Sequence, residues 1–145
     1  MDIRTGSLIR DAEEAEGTVV VIDVYRAFTT AGIAFSRGAE KIILVAEVEE
    51  ALELRDRGLA DLCMGEVGGV RPKGFDHGNS PYELSLAEVA GKTIAQSTRA
   101  GAVGVTSVRK ADKVYAGSLV VAGATVSAIL KDSPDVLTLV AMGHE

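Results

Sequence analysis

The part of the chain richest in chemically useful residues is residues 65–81, GEVGGVRPKGFDHGNSP, where the apolar pattern stops. Two acids, two bases, a histidine, an asparagine and a serine are interleaved there with five glycines. Glycines let the backbone turn through positive φ and let a ligand approach the main chain closely. Because unstructured loops of this length are uncommon inside compact domains, we expect a functional loop, with a mobile connection as the alternative.

The elements around this loop alternate between strand and helix patterns. Such alternation, with continuous β-branched strands, predicts a three-layer α/β/α fold with a parallel or mostly parallel sheet. At 145 residues, the chain is expected to form a single α/β domain over residues 1–145. Strands are predicted at residues 18–24, 41–45, 61–64, 92–97, 113–116 and 136–141. Helices are predicted at residues 27–37, 48–57, 100–108 and 120–130, with one or two helical turns at residues 85–89.

The overall composition limits the classes of function. A formal net charge of −6 argues against a general nucleic-acid binder, which needs a basic surface to neutralise phosphates. No stretch approaches the length of a membrane span, and the acidic N-terminus does not match a signal peptide. The single cysteine, Cys63, cannot form an internal disulfide. We therefore expect a cytoplasmic protein without a membrane or nucleic-acid partner.

The turns that follow the predicted strands are polar. In parallel sheets ligands bind beyond the carboxyl ends of the strands, so four of these turns are expected to converge at one edge. Carboxylates, arginines and hydroxyls in front of helix N-termini are suited to holding an anion together with a hard divalent cation. Taken singly, Asp23, Thr98 and Ser118 are also explained as helix N-caps, and the two arginines as surface residues. The turns carry Asp23, Tyr25 and Arg26, then Glu66, then Ser97, Thr98 and Arg99, and then Gly117 and Ser118.

Familiar catalytic signatures are absent from the sequence. Cys63 has Gly69 where a cysteine phosphatase needs an arginine, so a buried apolar role is expected for this thiol. The glycine-rich nucleotide-binding motifs do not occur. His77 and His144 are too few and too far apart to form a zinc site by themselves.

Several blocks of sequence resemble the 2-phosphosulfolactate phosphatase family. They run from VVVIDVYRAFTTAG through GEVGG, GFDHGNSP and GKTIAQSTRAG to KVYAGSLVVA, and the GFDHGNSP block is the most specific of them. The resemblance implies an α/β/α fold and a Mg²⁺-dependent phosphatase that hydrolyses 2-phosphosulfolactate to sulfolactate and phosphate. It also implies a link to coenzyme M biosynthesis and a small anionic phosphorylated substrate.

Site residues follow from the resemblance together with the polar turns after the strands. Asp23, Arg26 and Asp76 are expected to be catalytic, and Asp23, Glu66 and Asp76 are expected to hold one Mg²⁺. His77 is interpreted either as a general acid or as an incidental loop histidine, and Asn79 and Ser80 either as substrate contacts or as residues that stabilise a turn. The expected substrate-binding residues are Arg26, Asn79, Ser80, Ser97, Thr98, Arg99 and Ser118.

The chain also departs from the family pattern. Val67 stands in place of an arginine, Val121 in place of an amide, and Arg99 lies in a turn where the family has an asparagine. Family members are longer, and a sheet edge left open by the shorter length is expected to favour a homo-oligomer. Two alternatives to the predicted activity are a phosphatase for another small phospho-acid and a non-catalytic anion-binding or oligomerisation module.

Overall fold

The computed structural model describes residues 1–143. Within that range strands and helices alternate without exception along the chain. The strands are β1 (Asp2–Ser7), β2 (Glu16–Ile22), β3 (Lys41–Val45), β4 (Leu62–Gly65), β5 (Thr93–Ser97), β6 (Lys110–Gly117) and β7 (Val136–Ala141). The helices are α1 (Leu8–Glu14), α2 (Ala27–Ser36), α3 (Val48–Asp56), α4 (Pro81–Leu86), α5 (Gly101–Ser107) and α6 (Ala122–Asp132), with a 3-10 turn at Leu119–Val121.

The strands form two parallel sheets. The first has the order β1-β7-β2-β6 and the second the order β3-β5-β4. All the ladders within residues 1–143 are parallel, which accords with a helix between each strand and the next. The apolar strands β2 and β5 lie inside their sheets, where both of their neighbours cover them. The expected parallel pairing is therefore confirmed, with the strands divided between two sheets.

Helices cover both faces of the first sheet, as the two-residue period of β2 shows. Val19 and Val21 point to one face and pack with residues of α1, α2 and α5. Val20 points to the opposite face and packs with Ile129 of α6 and Leu137 of β7. The three-layer α/β/α fold predicted from the sequence is confirmed.

The second sheet repeats this arrangement. Cys63 and Ala95 lie opposite each other in the ladder and pack on one face with Ala51 of α3. Met64 and Ile94 form part of a second cluster, with residues of α2 and α4. The two faces are therefore covered by different helices, and the strand ends between them open towards the polar turns.

Most of the predicted elements are present within a few residues of their predicted bounds. The helix after the glycine-rich loop begins earlier than expected, at Pro81, because Ser80 caps it and proline suits the first helical position. β1 and α1 were not predicted, and β1 is an almost fully exposed edge strand whose one partner among residues 1–143 is the distant β7. No helix within the described range is both long and apolar enough to cross a membrane.

Candidate active site

A cavity of about 300 Å³ opens at the carboxyl ends of β2, β4 and β5. This is the edge at which parallel sheets ordinarily bind ligands. The polar turns after these strands meet here as expected, and the loop at residues 65–81 contributes part of the wall. The lining residues are Asp23, Tyr25, Arg26, Glu66, Gly68, Gly69, Asn79, Arg99 and Ala100.

Asp23 is the most deeply placed acid of the cavity, with only 5% of its surface exposed. It follows β2 directly, and its backbone N–H donates to the Gly117 carbonyl at 3.0 Å. Gly101 makes room for its side chain, because a Cβ on that glycine would lie 2.8 Å from Asp23 Oδ2. The start of α5 must therefore be a glycine if the carboxylate is to keep this position.

Arg26 and Tyr25 form the exposed rim of the cavity beside Asp23. Arg26 is the N-cap of α2, and its carbonyl accepts the Thr30 N–H at 2.9 Å. The fully buried Gln96 steadies this turn by donating its side-chain amide to the Ala27 carbonyl at 3.0 Å. Tyr25 was placed in this polar turn by the sequence but given no role, whereas Gln96, an amide inside an apolar strand, was missing from the predicted site.

Glu66 joins two loops at the opposite wall. Its Oε2 accepts the Gly69 N–H at 2.7 Å, and its Oε1 accepts the Arg99 N–H at 2.9 Å. Gly65 permits this approach, since a Cβ there would lie 1.8 Å from the Ser97 carbonyl oxygen. The carboxylate therefore fixes the glycine-rich loop against the turn after β5 while facing the cavity.

Asn79 is the single residue of the GFDHGNSP block among the lining residues. It is 7% exposed, and its Oδ1 has no hydrogen-bond partner within the described part of the chain. Buried amide oxygens are normally satisfied, so an unpaired one in a cavity wall is a position where a ligand, an ion or its water would bind.

Arg99 brings a second guanidinium to the cavity. Its side chain is half exposed, and Nη1 lies 3.8 Å from Glu47 Oε2. Glu47 is the N-cap of α3 and takes part in a capping box with Glu50. The charge of Arg99 is therefore held at the rim by a loose ion pair.

Asp76, in contrast, is absent from the lining of this cavity. Its Oδ2 accepts the Cys63 N–H at 2.8 Å and a bond from Arg55 Nη1 at 2.9 Å. Burial raises the pKa of Asp76, but these two hydrogen bonds and the Arg55 charge outweigh burial and hold the pKa below its ordinary value. The expected gathering of three carboxylates does not occur, and within residues 1–143 no group of three His, Cys, Asp or Glu residues is placed to hold a metal ion.

Four other predicted site residues are also absent from the cavity lining. Ser80 Oγ accepts the Glu83 N–H at 3.2 Å and caps α4. Thr98 Oγ1 accepts the Ala102 N–H at 2.9 Å, and Ser97 Oγ donates to the Ala46 carbonyl at 3.3 Å. Ser118 is buried and lines an adjacent, mainly apolar cavity of about 280 Å³ against α6.

The remaining candidates have local roles. His77 Nδ1 lies 3.2 Å from Glu83 Oε1, and Glu83 also accepts the Gly78 N–H, so this histidine belongs to the internal bonding of the loop. His144 lies outside the described residues. Cys63 is fully buried and donates to the Ala51 carbonyl at 3.2 Å, as expected for a structural thiol, and burial raises the pKa of this group.

Comparison with known proteins supports the resemblance found in the sequence. The family model for 2-phosphosulpholactate phosphatase matches residues 4–145. A probable 2-phosphosulfolactate phosphatase of Thermotoga petrophila is 40% identical over 124 residues, which cover 86% of this chain and 53% of that protein.

Two further relatives, also named probable 2-phosphosulfolactate phosphatases, show similar identity to this chain. The Carboxydothermus hydrogenoformans protein is 39% identical over 131 residues, covering 90% of this chain and 53% of its own. The Parasynechococcus marenigrum protein is 35% identical over 136 residues, covering 92% of this chain and 56% of its own. The chain thus spans about half the length of the curated relatives that it matches. On this evidence the chain belongs to the 2-phosphosulfolactate phosphatase family.

Proposed function

We propose that this chain carries the site of a Mg²⁺-dependent phosphoric monoester hydrolase that acts on 2-phosphosulfolactate or a related small phospho-acid. The products are sulfolactate and phosphate, in a step of coenzyme M biosynthesis or a related sulfonate route. The observation that carries the proposal is the grouping of two carboxylates, a buried amide oxygen and two arginines around one cavity at the strand ends. The names of the curated relatives support the same activity.

The cavity suits Mg²⁺, which prefers hard oxygen ligands and retains several waters. In the proposal Asp23 and Glu66 supply carboxylate oxygens, and Asn79 Oδ1 lies close by as a further acceptor. Asp76 is left out of the ligand set because it is absent from the lining and its Oδ2 is held by Arg55 and the Cys63 amide. When bound, the ion supplies positive charge that offsets the charge developing on the phosphoryl oxygens.

The remaining chemistry belongs to the side chains. Arg26 binds non-bridging phosphoryl oxygens through its planar guanidinium. Asp23, the most deeply buried carboxylate of the cavity, accepts a proton from the attacking water. The water oxygen forms a bond to phosphorus, the ester P–O bond breaks, and the released alcohol oxygen takes a proton from solvent at the open rim.

The proposal also includes a cytoplasmic location and a homo-oligomer. Support for self-association comes from four large apolar side chains of the 3-10 turn and α6 that are more than half exposed, namely Leu119, Val120, Val126 and Leu130. Apolar surface of this kind commonly marks an interface. The negative net charge supports a small substrate over a nucleic acid.

The direct test is phosphate release from 2-phosphosulfolactate with Mg²⁺ and with a chelator. Asp23→Asn is expected to lower kcat/KM by about 100-fold or more, the usual size of a lost acid–base group. Asp112→Asn, at an exposed position on β6, is the matched control and should retain full activity. Activity that persists in the chelator or in Asp23→Asn would refute the proposed mechanism.

The alternative is a module that binds a small anion without hydrolysing it. The observation in its favour is that several residues of the family-like blocks, Asp76, Ser80 and Thr98 among them, make structural hydrogen bonds inside the fold. Folded protein that binds sulfolactate but releases no phosphate from any phosphate ester in a panel would support this alternative.

A further inference from the structure

Two arginines from different turns reach the same cavity. Arg26 comes from the turn between β2 and α2, and Arg99 comes from the turn between β5 and α5. Within residues 1–143 the guanidinium of Arg26 makes no ion pair, whereas that of Arg99 lies near Glu47. If one phosphoryl group binds to Arg26 and a divalent cation, the guanidinium of Arg99 remains available for another anionic group.

The position of Arg99 is fixed through its backbone. Its N–H donates to Glu66 Oε1 at 2.9 Å, so its turn is tied to the wall that holds the acid. The guanidinium is less constrained, because Nη1 lies 3.8 Å from Glu47 Oε2 and both side chains are about half exposed. Exposed pairs of this length are weak, so a substrate acid can replace Glu47 at little cost.

Glu47 is itself held at the rim by the fold. Its backbone N–H donates to Glu50 Oε2 at 3.2 Å, and the preceding Ala46 N–H donates to the same oxygen at 3.1 Å. Ser97 Oγ donates to the Ala46 carbonyl at 3.3 Å, which ties the start of α3 to the end of β5. The Glu47 carboxylate therefore remains beside Arg99 when no ligand is bound.

We infer that Arg99 is a specificity-determining residue that binds a second acidic group, a carboxylate or a sulfonate, carried by the phosphate ester. Glu47 is its counter-ion in the resting protein and yields the guanidinium to the substrate. This inference rests on the proposed phosphatase function for the position of the phosphate group, and it adds Glu47 as a residue that tunes substrate affinity.

The test uses three phosphate esters that lose one acid at a time: 2-phosphosulfolactate, 2-phospholactate and isopropyl phosphate. Arg99→Ala is expected to lower kcat/KM for 2-phosphosulfolactate by about 10- to 100-fold, the usual range for a lost charged hydrogen bond. For isopropyl phosphate the change should stay within about twofold, because no second acid is present. An equal loss on all three esters would overturn the inference, since it would indicate a structural defect.

Glu47→Gln gives the opposite expectation. Removing the competing carboxylate should lower KM for 2-phosphosulfolactate by about two- to fivefold while kcat stays unchanged, in line with a weak exposed ion pair. The matched controls are Arg57→Ala and Glu53→Gln. They disrupt another exposed Arg–Glu pair, which lies at the C-terminal end of α3. A raised KM in Glu47→Gln would overturn the role of counter-ion, as would an identical change in Glu53→Gln.

Binding of sulfolactate tests the role of Arg99 independently of hydrolysis. If the wild-type chain hydrolyses none of the esters, calorimetric binding of sulfolactate to the wild type and to Arg99→Ala decides it alone. Binding at least fivefold weaker in Arg99→Ala and unchanged in Arg57→Ala supports the second-acid site. Equal binding to all three proteins, or none to any of them, rejects it.

Discussion

The two ends of the loop at residues 65–81 each carry one acid, and the two acids have different roles. Residues 65–69, the site segment, turn the Glu66 carboxylate towards the cavity and fix it with two backbone N–H groups. Residues 75–81, the anchor segment, turn the Asp76 carboxylate towards Arg55 of α3 and the Cys63 amide. What an acid does is thus decided by the partners that the fold brings to it, and a specific motif can be mainly structural.

The largest effect that separates the two segments is expected from Glu66→Gln. In the proposed site the uncharged side chain would bind Mg²⁺ less tightly, and it cannot accept both N–H bonds, so kcat/KM should fall by about 100-fold. Steady-state phosphate release measures this, with the exposed Glu53→Gln as control. If Glu66→Gln retained wild-type activity, the site segment would be structural as well.

In the anchor segment, Asp76→Ala is expected to cost stability and leave activity unchanged. The change leaves the Cys63 N–H without its side-chain acceptor and the Arg55 guanidinium without its counter-charge, although Arg55 Nη1 keeps its bond to the Gly74 carbonyl, and about 1–3 kcal/mol of unfolding free energy should be lost. Urea denaturation gives this value, and kcat per folded molecule should remain within about twofold of wild type. Arg55→Ala should give a similar loss, and the double variant should lose less than the sum.

The pH dependence provides a second check on Asp76. Its pKa is lower in the folded protein than its ordinary value of 3.8, so its ionised form stabilises the fold. That stabilisation is complete above the unfolded-state pKa and is lost as pH falls through the folded-state pKa. The difference in unfolding free energy between wild type and Asp76→Ala should therefore be constant near neutrality and shrink below about pH 5. A gap that stays constant into strong acid would show that this carboxylate contributes nothing through its charge.

The smallest effect is expected from the end of the anchor segment. Ser80→Ala removes the N-cap of α4 and should cost about 1 kcal/mol of stability with no change in KM. The control is Ser85→Ala, because the Ser85 hydroxyl donates only to the exposed Tyr82 carbonyl. A raised KM in Ser80→Ala would instead place this hydroxyl on the substrate.

The sequence was sufficient to predict most of the fold because the signals involved are local. Residues 41–45 and 136–141 were predicted as strands, and β3 and β7 have those bounds. β1 has no apolar run and owes its place to a ladder with β7, more than a hundred residues away. The sequence of β1 by itself therefore does not indicate a strand.

Part of the cavity lining could also be predicted from local signals in the sequence. Asp23, Arg26, Glu66 and Arg99 follow strand ends, and strand ends share one edge of a parallel sheet. The role of Asp76 could not be predicted in this way. Its partner Arg55 lies 21 residues away on α3, and the direction of the Arg55 side chain depends on how that helix packs. Ser97 is the last residue of β5 and Thr98 follows it next to Arg99, but the side chains of both are buried.

The measurement that tests the central claim most directly is calorimetric titration of Mg²⁺ into wild type, Asp23→Asn and Asp76→Asn, each first shown to be folded. The proposed site predicts binding to wild type, at least tenfold weaker binding to Asp23→Asn, and binding within about twofold of wild type to Asp76→Asn. Loss of affinity in Asp76→Asn comparable to that in Asp23→Asn would contradict the assignment of the cavity as the metal site and of Asp76 as a structural residue.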